Sequence, residues 1–308
     1  MSAPVVFVDE PGYRLKLRRA KQHLETIDRD VRAFIEFNLA GAVPFETKPE
    51  KEWTIFKRGD VKPISPLFGA FLGDFIHNAR SALDNLVVAM IRRNDPGHSV
   101  EHAYFPAYDG SAKWRNEIVT RDRTAHGPAP TDGVSDAVLT AIEKSQPYRT
   151  KPMGVSIART PLMLLQAASN TDKHQAIHAT TPRIPVPGRI IGPNLSVPRG
   201  RLHITPPGYF KMLKSRVAAP GTPLETGAEI GRAKIRVVQL PPPNVEVGVN
   251  ASIPMEIAFS VEGKSGEITH WDLWDMANEA WRVVLRVEEA AGIHGLPRQD
   301  AYEWAISN

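Results

Sequence analysis

An unbroken stretch at residues 66–93, dense in Leu, Ala and Val and without an internal proline, constrains this chain more than any other feature. Its spacing predicts one long helix, about 40 Å from end to end. Helices draw most of their stability from a packed face, so a helix of this length obliges the fold to supply several partners. Within it, "GDFIHNARSALDNLV" brings an unusual number of polar groups into text that otherwise reads as buried. His77, Arg80 and Asp84 fall at i, i+3 and i+7, with Asn78, Ser81 and Asn85 in a parallel row one step around and Asp74 extending the face. Leu72, Phe75, Ile76, Ala79, Leu83, Leu86 and Val87 flank these rows, so the polar strip is narrower than an ordinary solvent face. Polar groups in such a strip need internal partners, because each orphan costs about 1–3 kcal/mol.

The best partner is "SNTDKHQAIH", in a helix capped by Thr160 and begun by Pro161, where Asn170 and His174 share a face with Asp172, Lys173 and His178 nearby. If the two helices pack, Arg80 is expected to pair with Asp172 or Asp84, and His77 to approach His174. The pair of motifs, HNxRSALDxL followed about 90 residues later by NxDKH, resembles a group of uncharacterised bacterial proteins over residues 65–180. More distantly, the helical text around Arg80 resembles the HEPN superfamily. That resemblance implies a helical bundle that often cleaves RNA through an Arg, four to six spacers and a His, commonly across a dimer interface. The chain departs from the pattern at Asn85, which stands where the histidine would be. Arg93 with His98 and Arg121 with His126 match the spacing but lie in loop-like text.

Elsewhere, residues 13–39 repeat Leu17, Leu24, Ile27, Val31, Phe34 and Ile35 at helical spacing, with Arg14, Lys16, Arg18, Arg19 and Lys21 on a face expected to be solvated. A strand-like "VVFV" precedes this helix, and "FETKPEKEWTIFKRGDV" suggests a hairpin after it. Residues 95–134 are loop-rich around a short helix at "AKWRNEIV", and Ser135 is suited to cap the helix that follows. From about Pro182 to Glu262 the text turns to Pro, Gly and β-branched residues, with strands expected at "RLHITP", "AKIRVVQL", "VEVGVNASI" and "MEIAFSV". Charged residues there show little regular alternation, and this section is expected to cover the helical core, bind a partner or form a dimer edge. The last helix, "THWDLWDMANEAWRVVLRVEEAAG", is expected to turn Trp274, Ala277, Trp281, Val284 and Leu285 inward and to stop at Gly292. The fold class is therefore α+β: a HEPN-like helical bundle at 1–181, then a β-rich section with a closing amphipathic helix at 182–308, unless the two form one continuous domain.

Composition removes several functions. There is no cysteine, hence no disulfide, thiolate metal site or cysteine nucleophile. GxSxG, Walker A and strand-borne GxGxxG motifs are absent, so no cofactor is expected. His174 and His178 have helical metal-pair spacing but lack the glutamate of a zincin, and no metal is assigned. Of Trp271, Trp274 and Trp281, the last two fall on the apolar face, the spacing of packed residues before that of a stacking platform, with partial exposure left open for Trp271 and Trp274. A net charge of +4 and a pI near 9.2 permit a nucleic-acid partner. The start lacks the features of a signal segment and no run of roughly 18 apolar residues occurs, so a cytoplasmic protein without membrane contact is expected.

Two functions remain open. One is a metal-independent, homodimeric HEPN-like protein that binds or cleaves RNA in a defence, toxin or stress role. Its catalytic residues are His77, Arg80 and His174, and its binding residues are Asn78, Asp84, Asn85, Asn170, Asp172 and Lys173. The other is a non-catalytic interaction or scaffold protein in which the same stripe is a buried structural network.

Overall fold

The computed structural model describes residues 10–40, 46–50, 53–57, 64–174, 190–191, 195–196, 201–205, 210–219, 221–223, 225–238, 248–252, 257–260 and 267–294. Its helices are α1 (Gly12–Ala40), α2 (Leu67–Asn94), α3 (Ser111–Trp114), α4 (Arg123–His126), α5 (Asp136–Lys144), α6 (Pro147–Thr150), α7 (Pro161–His174) and α8 (His270–Ala290). Its strands are β1 (Glu46–Glu50), β2 (Trp53–Lys57), β3 (Ile190–Ile191), β4 (Leu195–Ser196), β5 (Arg201–Thr205), β6 (Phe210–Val217), β7 (Glu229–Val237), β8 (Gly248–Ser252), β9 (Ala258–Ser260) and β10 (Glu267–Thr269). Helices with small antiparallel sheets make the class α+β. No helix among the described residues is long and apolar enough to cross a membrane. The expected "VVFV" strand lies outside the described residues.

The chain divides into two compact units that interleave along the sequence: residues 1–26, 69–177 and 261–308 form a helical unit, and residues 27–68 and 178–260 a β-rich one. This differs from a sequential division at residue 181, because α8 counts with the helices. Composition along the chain follows the strands, whereas compactness follows where a helix buries its face.

The helical unit is built on apolar stripes. Leu17 and Leu24 of α1, Leu72, Phe75, Leu83 and Leu86 of α2, Leu164 and Leu165 of α7, and Leu273, Met276, Val284 and Val287 of α8 are all buried. Each such side chain contributes about 1.5–3 kcal/mol on leaving water. α8 packs against α5 and α7. Its start is a capping box: Asp272 N–H donates to Thr269 Oγ1, and Thr269 N–H donates to Asp272 Oδ2 at 2.7 Å. Ala277, Trp281 and Val284 are buried as expected, but Trp274 and Leu285 are half-buried, since the stripe centres on Leu273, Met276, Ala280 and Val287. Gly292, at φ +66°, lies just past the end of the helix in the left-handed region that a β-carbon disfavours.

Arg14, expected in solvent, is instead buried at 3% exposure. Its Nε and Nη2 donate to Glu288 of α8 at 2.7 and 2.5 Å, and Tyr13 Oη donates to the same carboxylate at 2.9 Å. The arginine also lies 5.9 Å from the centre of the Trp281 ring. Burial and the neighbouring carboxylate push the Tyr13 hydroxyl's pKa up, so the phenol stays a donor.

In the β-rich unit the expected hairpin is β1–β2, part of an antiparallel sheet ordered β1-β2-β7-β6. β3 pairs with β4, and β5 with β8. The strands at "RLHITP", "AKIRVVQL", "VEVGVNASI" and "MEIAFSV" are present as β5, β7, β8 and β9; β6 was not expected.

Candidate functional site

The stripe of α2 separates by depth. Arg80 is buried, Asn78, Ser81 and Asp84 are half-buried, and Asp74, His77 and Asn85 are exposed. Asn78 donates its amide to the Asp74 carbonyl one turn back, which is a local use of a polar side chain inside a helix. Arg80 pairs with Asp84 at 3.0 Å, an i,i+4 ion pair on one face. Arg80 Nη2 also donates to the Phe105 carbonyl at 2.6 Å, and the Phe105 N–H donates to Asp84 Oδ1 at 2.9 Å. Both backbone groups of one residue are thus held by two charges that neutralise each other.

A second bracket continues the first. Gln146, fully buried just after α5, donates to the Pro106 carbonyl at 2.9 Å and accepts the Tyr108 N–H at 2.9 Å. Residues 105–108 therefore lie along the helices as a strand would lie in a sheet, with side chains taking the place of a neighbouring strand. Phe105, fully buried, fixes the segment in the core. Buried backbone groups require partners, and here Arg80, Asp84 and Gln146 are those partners.

The other half of the expected site is on α7. A β-carbon built on Gly73 would lie 2.6 Å from Asp172 Oδ1, so α2 and α7 meet where α2 has no side chain. Of the two partners expected for Arg80, Asp84 is the one it takes, while Asp172 lies beside Gly73. Asn170 is exposed and accepts from Gln166 Nε2 at 2.9 Å, and Lys173 is exposed. His174 ends α7; its side chain, like the whole of His178, lies outside the described residues. Among the described residues, no group of three or more His, Asp or Glu is placed to hold a metal ion.

Two further groups of residues lie beside α2, neither of them assigned to the site from the sequence. His23 of α1, half-buried, is 3.9 Å from Asp74. Burial holds its imidazole below the ordinary range and Arg19 adds to the drop, against the opposite pull of Asp74. Near the end of α2, Ile91, His98, His102, Pro130 and Asp132 line a cavity of about 230 Å³. His98 lies against Gly133, which adopts φ +91°. Burial pushes the Asp132 carboxyl's pKa up, but hydrogen bonds from Arg123 and from the Ala129 N–H outweigh it and leave the net shift downward.

No protein-family model, curated protein or solved structure matches the chain.

Proposed function

We propose that this chain acts by binding, as a non-catalytic interaction protein on a HEPN-like helical frame, and that the α2 stripe is its internal strut. The observation that carries the reading is the double engagement of Phe105: its carbonyl on Arg80 and its N–H on Asp84. A guanidinium that stabilises charge developing on a phosphate has to face the place where that charge appears. Arg80, at 8% exposure, already donates to a carbonyl and is ion-paired with a carboxylate, and exposed Asn85 supplies no acid or base. The absence of cysteine suits a reducing compartment and supports a cytoplasmic location.

The test compares stability with chemistry. Arg80→Ala leaves the buried Phe105 carbonyl without its donor and the half-buried Asp84 without its ion-pair partner, so it should lower the free energy of denaturant unfolding by about 1–3 kcal/mol. Wild-type protein incubated with single-stranded and hairpin RNA should leave both intact. An Arg80→Ala protein of near wild-type stability, together with wild-type RNA cleavage that the variant loses, would reverse the assignment.

A further inference from the structure

In the β-rich unit, β7 and the edge strand β6 carry a second, chemically different feature. Register places Lys211 opposite Arg236, Lys214 opposite Lys234, and Arg216 opposite Arg232. Directly paired residues share a face, so six cations stand in two adjacent rows on one side of β6 and β7. Lys211, Lys214, Arg216 and Arg236 are exposed; Arg232 and Lys234 are half-buried. Arg232 is bound to Glu229 at 2.7 Å, and the Lys234 ammonium lies 5.2 Å from the centre of the Trp53 ring, which β2 brings alongside. The alternate residues Gly231 and Ala233 are buried, while Ser215, paired with Ala233, is exposed, and Ile55 of β2, paired with Arg232, is buried beside the cations. The acidic residues of β1, Glu46 and Glu50, fall at the far edge of the sheet, in register with Lys57 and Trp53.

Sheet geometry gives this feature its dimensions. Rows on neighbouring strands are about 4.8 Å apart, and like-facing residues along a strand repeat about every 6.7 Å. The result is a narrow cationic ribbon with an aromatic ring beside it, and like charges at this spacing repel one another unless an anion lies between them. A single phosphodiester strand follows such a line, placing phosphates on the ribbon and a base against an indole. A bilayer surface would favour a broader basic area and apolar groups that insert.

We infer that the β6–β7 face, with Trp53, binds single-stranded nucleic acid through its phosphate backbone. This deepens the binding reading above and rests on it. The test uses the full chain and a fluorescein-labelled single strand of about 20 nucleotides, as RNA and as DNA of the same sequence, followed by anisotropy from about 50 to 200 mM KCl. The variant is Lys211→Gln with Lys214→Gln and Arg236→Gln, all exposed positions, with its melting temperature measured alongside. Each lost phosphate contact reduces the salt slope by about 0.7, so the triple variant should bind at least about ten-fold more weakly with a slope shallower by about 2. RNA and DNA should bind alike, and Trp53→Leu should weaken both without altering the slope. Equal binding by wild-type and triple variant, no binding by wild-type protein at the lowest salt, or binding only to phosphatidylserine-containing vesicles would overturn the assignment. Hydrolysis of the RNA probe by wild-type protein would instead overturn the binding reading on which it rests.

Discussion

Phe105 decides how the polar stripe of α2 is read. The i,i+4 spacing of Arg80 and Asp84 makes their pairing legible in the sequence. Nothing local announces that both would close on a backbone unit 25 and 21 positions away, because a loop residue's carbonyl and N–H carry no residue-type signal. The same blindness hid Gln146, and it put Arg14 in solvent when Glu288 was waiting 274 residues further on. His23 gives this scale a pH prediction. Its pKa is depressed by burial, so between that value and about 6.5 the unfolded chain binds the proton more readily than the folded one. Its contribution is therefore fully present above about pH 6.5 and fades as the pH falls beneath it. In denaturant unfolding, wild-type protein should lose more stability than His23→Gln between about pH 7.5 and 5.5. A wild-type advantage that grows on acidification would mean that Asp74 dominates instead.

At the scale of elements, clean period was readable and interrupted period was not. α1, α2, α5 and α7 follow their apolar stripes, and Ser135 caps α5 through the Val138 N–H as its position suggests. β6 escaped because its cations sit at 211, 214 and 216, a spacing of three and then two; the register shift between Met212 and Lys214 absorbs the extra residue and returns all three to one face. In β7, Arg232, Lys234 and Arg236 alternate without a break, which corrects the expectation that the β-rich text lacks regular charge alternation. α8 was recognised as a helix, but its allegiance was not, since that depends on Glu288 and Asp272 meeting Arg14 and Arg159. A fragment ending at residue 181 would lack these partners and the buried face of α8. It should show no cooperative unfolding transition, whereas a sharp two-state melt of that fragment would contradict the role given to α8.

Over the whole molecule, one set of polar groups holds the fold together and another is the proposed binding surface. The first set is Arg14, Arg80, Gln146 and Glu288, all buried, with the half-buried Asp84, and its bonds join segments far apart in the helical unit. The second set is the cationic ribbon of β6 and β7, four of whose six cations are exposed. The division between them stands or falls on whether Arg80 is a strut. Residue-resolved amide hydrogen exchange on the full chain, wild-type against Arg80→Ala, measures that directly. Slow exchange is expected at Phe105 and Tyr108 in the wild type, with protection at both falling in the variant. Fast exchange at Phe105 in the wild-type protein, or protection that survives the loss of Arg80, would contradict it.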